Sequence, residues 1–263
     1  MPIYKLKEIN LYYEIHGEGE PLLFIHGLGS SSRDWELQLD YFAQNYQVIL
    51  IDVRGHGRSG KPPGPYSIPL FAEDTKKLLR ALQIGPVHIL GISLGGMIAF
   101  QLGISYPDLI KSLVIVNSTP ELVARTLKDR LGIWQRLLIV RFLGMRKMGE
   151  VLGNRFLPDP EQAELRKIFI ERWAENDKQA YLEAMKAVIG WSVTDRLGEI
   201  RCPTLVIGSD GDYFPTAEKE NYVKLIPGAK LEIIKNTRHA LPAENPEVFN
   251  QIVIDFLTGL SAT

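Results

Sequence analysis

The run Gly91-Ile92-Ser93-Leu94-Gly95, followed directly by Gly96, constrains this chain more than any other stretch. Before it, Val87-His88-Ile89-Leu90 reads as a short buried strand; after it, Met97 to Tyr106 reads as an apolar helix. A serine in G-x-S-x-G spacing between strand and helix sits on a tight turn that pushes its hydroxyl out of the sheet edge toward a cleft. The glycines keep side chains out of a place where strand and helix nearly touch. The helix also aims free N–H groups and its positive dipole end at Ser93, where an anion forms during acyl transfer.

The rest of the chain repeats that strand-then-helix rhythm. Leu11–His16, Leu22–Ile25, Val48–Ile51, Val87–Leu90 and Ser112–Val116 read as strands. Arg33–Gln44 reads as a helix with Ser32 as its N-cap, and Ser67–Leu82 as the next helix. From about Thr119 to Trp191 the pattern is helical with no convincing strand, and it is rich in large apolar residues. Strand and helix then alternate again through Thr204–Ile207, Ala217–Leu225, Leu231–Ile234 and Pro246–Leu257. This pattern predicts an α/β fold, a mainly parallel sheet with helices on both faces. Residues 1–118 and 192–263 form its core, and 119–191 are a helical cap inserted into it.

A chain of 263 residues can bury one deep core of this kind. Its net charge of −1 gives no reason to expect nucleic acid or an anionic membrane as a partner. One cysteine, Cys202, excludes an internal disulfide and fits a reducing compartment. The stretch from Ile84 to Pro107 carries no formal charge and is long enough to span a bilayer, but His88, Ser93, Gln101 and its glycines fit a buried strand and helix instead. Met1 to Lys7 lacks the apolar core of a secretory signal, so no stable membrane insertion and a cytoplasmic location are expected.

A serine hydroxyl is a weak nucleophile until a base takes its proton. Of five histidines, His239 lies in the polar loop Asn236-Thr237-Arg238-His239 between the last strand and the last helix, where the base belongs in the chain order nucleophile, acid, histidine. The acid that holds the base in the right tautomer comes from Gly208-Ser209-Asp210-Gly211-Asp212, after the Thr204–Ile207 strand. Asp212 is preferred, since Asp210 suits a turn that bonds to its own backbone; the sequence leaves both open. Oxyanion donors are expected at the N–H of Leu94, just after the serine, and at the N–H of Leu28 in His26-Gly27-Leu28-Gly29. His26 reads as a brace for that loop. His16 and His88 fall in strands, and Asp52-Val53-Arg54-Gly55-His56-Gly57-Arg58-Ser59 reads as a rigid loop pinned by ion pairs. No ligand spacing suggests a metal, and neither a phosphate loop nor a dinucleotide fingerprint is present, so no cofactor is expected.

His26-Gly27-Leu28-Gly29, Asp52-Val53-Arg54-Gly55-His56-Gly57, Gly91-Ile92-Ser93-Leu94-Gly95-Gly96, the Asp212 loop and His239 together resemble the α/β-hydrolase superfamily, in particular its small cap-bearing esterase and lactonase branch. The resemblance implies an eight-stranded sheet with strand 2 antiparallel and a helical cap between strands 6 and 7. It excludes haloalkane dehalogenases and epoxide hydrolases of this fold, which place an aspartate where this chain has Ser93. Cofactor-free haloperoxidases, C–C bond hydrolases and many enol-lactonases carry Met where this chain has Leu94.

The expected activity is hydrolysis of small-molecule carboxylic esters through an acyl-enzyme on Ser93, with His239 and Asp212 completing the triad. A lactonase with the same triad, a ligand sensor that kept the fold and a cofactor-free lyase are the alternatives. Trp134, Leu138 and Phe142 are expected to line the substrate pocket and to favour apolar, short-to-medium esters. The cap is also the surface through which a homo-oligomer could form. Its first half carries an excess of Arg and Lys, which usually marks a solvated helix face; attraction of an acidic substrate and an amphipathic helix laid on a membrane surface are the alternatives.

Overall fold

A computed structural model describes residues 2–6 and 8–261 of the chain. Eight strands build one sheet: β1 (Ile3–Lys5), β2 (Asn10–His16), β3 (Glu20–Ile25), β4 (Tyr46–Ile51), β5 (Val87–Ile92), β6 (Ile110–Val116), β7 (Thr204–Ser209) and β8 (Lys230–Ile234). Their order across the sheet is β1-β2-β4-β3-β5-β6-β7-β8. β2 runs antiparallel to both of its neighbours, and every pairing from β4 to β8 is parallel.

Alternation along each strand sends side chains to opposite faces, and two cores result. Leu22, Phe24, Val48, Leu50 and Leu90 pack on one face with Trp35, Phe42, Phe249 and Val253. Leu23, Ile25, Ile49, Ile51 and Ile89 pack on the other with Phe71, Leu78, Ile98 and Phe100. The first face is covered by α1 (Glu36–Phe42) and by a late helix described below; the second is covered by α2 (Ile68–Ala81) and α3 (Leu94–Ser105). Every residue of α3 from Leu94 to Ile104 is buried. That burial explains an uncharged segment of membrane-like length: the helix is apolar all round because protein surrounds it. Among the described residues no helix is long and apolar enough to cross a membrane.

Between β6 and β7 the chain leaves the sheet and forms α4 (Leu127–Leu138), a π-helical turn at Ile139–Leu143, α5 (Gly144–Phe156), α6 (Ala163–Ala174) and α7 (Lys178–Val188). A single bridge, Glu121 with Ser192, ties the two ends of this excursion. α8 (Thr216–Val223) follows β7, and α9 (Leu241–Glu244) and α10 (Pro246–Ser261) close the fold after β8.

Two local readings differ from the structure. The helix expected over Arg33–Gln44 is a 3-10 turn, Ser32–Trp35, that continues into α1. Its cap is Ser31, whose hydroxyl accepts the Arg33 N–H; the Ser32 hydroxyl instead accepts from Arg58 at 3.0 Å. β1 was not expected; three residues on a sheet edge are too few to show alternation. Ser67, by contrast, stands just outside α2 and caps it, accepting the Leu70 N–H at 3.2 Å.

The approach of α3 to the sheet is the tightest in the fold. A Cβ placed on Gly95 would lie 2.1 Å from the carbonyl oxygen of Ile25 in β3. Both partners are backbone in buried elements, so neither can step aside. Gly95→Ala should therefore cost roughly 2–4 kcal/mol of stability in urea unfolding. A loss below about 0.5 kcal/mol would mean that the helix can shift.

Candidate active site

Ser93 follows β5 with φ +54° and ψ −114°, a conformation non-glycine residues avoid. Such strain costs on the order of 1–3 kcal/mol and persists only where neighbours impose it. Here they do: the Ser93 N–H donates to Val116 O at 3.0 Å, and its carbonyl accepts from the Met97 N–H at 3.1 Å and the Ser118 hydroxyl at 2.7 Å. Leu28 and Leu94 line the same cavity as the Ser93 hydroxyl, and neither N–H has an acceptor among the described residues. His26 fixes the Leu28 loop. Its Nε2 accepts the Val53 N–H at 2.9 Å, which leaves Nδ1–H to donate to Gly27 O at 2.7 Å. Gly29, at φ +77°, lets the indole of Trp173 in α6 lie 2.7 Å from where a Cβ would be, and Asn176 donates to its carbonyl at 2.7 Å. The cap thus grips the loop from above.

Asp212 and His239 meet at the far ends of β7 and β8. His239 Nδ1 lies 2.7 Å from Asp212 Oδ1, and Nε2 is left without a protein partner among the described residues. Asp210 is exposed and instead accepts the Thr237 N–H, a brace for the loop that carries the histidine. The sequence did not single out Lys219. Its ammonium, fully buried in α8, contacts Asp212 Oδ2 at 2.8 Å and the Phe214 carbonyl at 2.5 Å. Burial alone would raise the Asp212 pKa; the facing charges of His239 and Lys219 outweigh it and hold the carboxyl below its usual range. The one sequence signal for Lys219 was its position in the short helix after the acid.

Three aromatic rings wrap the histidine. Tyr213 lies 4.3 Å and Phe156 of α5 4.8 Å from the His239 ring, centre to centre. The Tyr213 hydroxyl, not His239, makes the recorded contact with Ser93 Oγ, at 3.5 Å. Burial pushes that phenol up to about 12, against the pull of Arg136. Asn117, at φ +40° after β6, joins the strand ends: it donates to Ser209 Oγ, Arg238 O and His239 O, and accepts the Ser209 N–H. The sequence showed no carboxylate at this position, and the structure shows what an amide does there. Glu244 of α9 accepts the Arg238 N–H at 2.7 Å, one residue from the base.

Ser93, His239, Leu28 and Leu94 open into a cavity of about 1050 Å³ beneath the cap. Its cap wall holds Ile133, Arg136, Ile139, Met148, Leu152, Phe156, Phe169 and Trp173. Trp134, Leu138 and Phe142, expected to line the pocket, lie on the outer face of the cap at 64%, 45% and 72% exposure. Helical geometry gives the reason. Positions 127, 131, 134, 138 and 142 form one stripe, and that stripe faces outward, while 133, 136 and 139 turn inward.

The other candidates have structural partners. His88 sits between Ser112 Oγ at 2.7 Å and Glu20 at 3.1 Å, and the half-exposed His16 meets Glu14 at 2.9 Å. Asp52 accepts N–H groups of Ser32 and Arg58, while Arg54 forms a buried two-point pair with Asp74 at 2.6 and 2.9 Å. Burial drives His56 down to about 3, so it is neutral. Burial likewise lifts the Cys202 thiol to about 11. Among the described residues no His, Cys, Asp and Glu group could hold a metal.

Residues 20–246 match the sequence pattern of the alpha/beta hydrolase fold. A candidate carbamate hydrolase, RutD, of Azorhizobium caulinodans is 30% identical over 97% of this chain and 98% of its own length. The (E)-2-((N-methylformamido)methylene)succinate hydrolase of Acinetobacter baylyi is 31% identical over 91% of this chain and 90% of its own. Among solved structures, the enol-lactonase of Burkholderia xenovorans LB400 superposes with a TM-score of 0.91, covering 98% of this chain and all of its own at 23% identity.

Two variants test the groups around His239. Lys219→Met leaves a buried carboxylate facing only the histidine and should cost about 3 kcal/mol in urea unfolding; a change within 0.5 kcal/mol or so would contradict the pairing. Burial raises the Glu244 carboxyl from its ordinary 4.5 to about 7. The folded chain therefore binds a proton there that the unfolded chain releases earlier, and stability falls as pH rises between those values. Glu244→Gln removes that fall, so the variant's melting temperature should gain on wild type from about pH 5 to about pH 8. A constant difference across that range would mean that the carboxyl is ionised throughout.

Proposed function

We propose that this chain, which belongs to the alpha/beta hydrolase fold family, is a serine hydrolase that cleaves carboxylic esters through an acyl-enzyme intermediate. The observation that carries the reading is the strained Ser93 beneath two free N–H groups, in one cavity with a histidine whose Nδ1 meets Asp212 at 2.7 Å.

In this reading Ser93 Oγ attacks the ester carbonyl while His239 Nε2 takes the hydroxyl proton. Asp212 holds Nδ1–H and stabilises the imidazolium as it forms. Negative charge gathers on the former carbonyl oxygen, where the N–H groups of Leu28 and Leu94 accept it; each such donor is worth roughly 10²–10³ in rate. The tetrahedral centre collapses, the alkoxide leaves with the proton from His239, and the acyl group stays on Ser93. Water, deprotonated by the same nitrogen, then frees the acid and restores the serine. Ser93 Oγ lies 3.5 Å from the Tyr213 hydroxyl, so in this reading the attack begins with its turn toward His239. The apolar cap wall favours short or medium acyl chains over long ones.

Hydrolysis of p-nitrophenyl esters from acetate to dodecanoate, with γ-butyrolactone beside them, tests the proposal. Ser93→Ala should lower ester turnover at least about a thousandfold and leave the melting temperature within a few degrees of wild type. Undiminished turnover in that variant would remove Ser93 from the chemistry. Faster opening of the lactone than of any ester would make the enzyme a lactonase with the same machinery.

A further inference from the structure

Among the described residues, Lys128, Arg130, Arg141, Lys167 and Lys178 of the cap have no carboxylate partner but stand exposed to solvent, and Arg166 bonds the carbonyls of Leu157 and Asp159. Arg125, Arg146, Lys147 and Arg172 each pair with a carboxylate: Glu121, Glu171, Glu150 and Glu36. Arg136 does not. It projects from the inner face of α4 into the cavity and has no acidic partner among the described residues. Its Nε donates to the Tyr181 hydroxyl at 2.6 Å, and its guanidinium also engages the Tyr213 hydroxyl, the same oxygen that lies 3.5 Å from Ser93 Oγ. Two neutral hydroxyls satisfy part of a guanidinium with five N–H donors and do not balance its charge. Arg155 reaches the other side of Tyr213, 5.4 Å from the ring centre, and it too lacks a carboxylate.

The acids along the cavity do not answer this charge. Glu36 and Glu121 are held by Arg172 and Arg125, and Asp129 by the first turn of α4. Glu218 stands exposed at the rim. Desolvation raises Asp34, which takes the Ser30 hydroxyl as its partner.

We propose that Arg136 is the binding point for a carboxylate on the substrate, so that the natural ester or lactone bears a free carboxylate a short chain away from the carbonyl that Ser93 attacks. The spacing is set by the structure: one phenolic oxygen separates the guanidinium from the nucleophile. Arg136 is anchored through Nε to Tyr181, and its planar guanidinium holds more N–H donors than two hydroxyls can take, enough to meet a carboxylate with two parallel hydrogen bonds. The apolar wall then encloses the short spacer, and Arg155 adds positive field at the mouth. The inference rests on the serine-hydrolase reading for the reaction, but not for the binding.

The test compares monomethyl succinate and monomethyl glutarate with methyl butyrate, a neutral ester of similar length. Wild type should favour the charged esters in kcat/KM, and Arg136→Gln should lose about 30-fold more on them than on methyl butyrate, the worth of one charge-assisted two-point contact. Arg136→Lys, which keeps the charge without the fork, should fall between. Equal losses on charged and neutral esters, or no preference in wild type, would overturn the proposal. If no ester is turned over, calorimetry of glutarate with Ser93→Ala protein decides instead. Binding that Arg136→Gln abolishes supports the carboxylate site even as the hydrolase reading fails; absent or unaltered binding sinks it.

Discussion

Everything functional in this molecule hangs on how closely α3 lies against the sheet. At Gly95 the helix backbone meets β3 with no room for a side chain, 2.1 Å between a would-be Cβ and Ile25 O. To enter a helix placed so tightly, the chain must turn sharply after β5, and Ser93 takes the left-handed φ of +54° that this turn requires. The same turn aims the hydroxyl into the cavity and brings the first free N–H of α3, at Leu94, beside it. The proposed nucleophile and anion donor are therefore one backbone event, and the bonds from Val116, Met97 and Ser118 hold the strain in place.

The acid side of the site has a different logic. Asp212 is a buried carboxylate between His239 and Lys219, and each occupies one oxygen. Lys219 neutralises the carboxylate when the histidine is uncharged, which makes its burial tolerable in the resting state. It also fixes the carboxylate plane, since Oδ2 is tied to a lysine that is itself anchored to Phe214 O. The imidazole then meets Oδ1 at a set angle, and the tautomer with Nδ1–H follows. Asn117 adds the third constraint by tying the His239 backbone to the ends of β6 and β7.

What was legible in the sequence was whatever the backbone dictates locally. The glycine-serine turn, the short apolar strands and the helix from Ser67 are patterns of adjacent residues, and the structure places them where they were read, within a few residues. The break in rhythm after β6 likewise marks the helical excursion over α4 to α7. What escaped depends on residues far apart in the chain. Lys219 looked like one more surface lysine in a charged helix, and only the meeting of β7 with the β8 loop turns it inward. Turn chemistry favoured Asp212 over Asp210 but left both open, and the two part only where the Thr237 N–H claims Asp210 and His239 claims Asp212.

The cap shows the same limit more sharply, because a helix carries two faces and the sequence does not say which is inside. On α4 and the π-helical turn the large apolar residues Leu127, Leu131, Trp134, Leu138 and Phe142 make the more conspicuous stripe, and hydrophobicity pointed to three of them, Trp134, Leu138 and Phe142, as the pocket. The structure turns that stripe out and puts Ile133, Arg136 and Ile139 in. The inversion follows from what each face has to meet. In the proposed reading the inner face lies over a catalytic cleft and needs polar groups that answer a substrate, and Arg136 keeps its charge there by standing on two tyrosine hydroxyls. Composition counted that arginine among the many basic residues of the cap. Place and partners together separate it from them: Arg125, Arg146 and Arg172 spend their charge on protein carboxylates and Arg130 and Arg141 stand in solvent, whereas Arg136 lines the cavity with only tyrosine hydroxyls against it, one of them 3.5 Å from Ser93 Oγ.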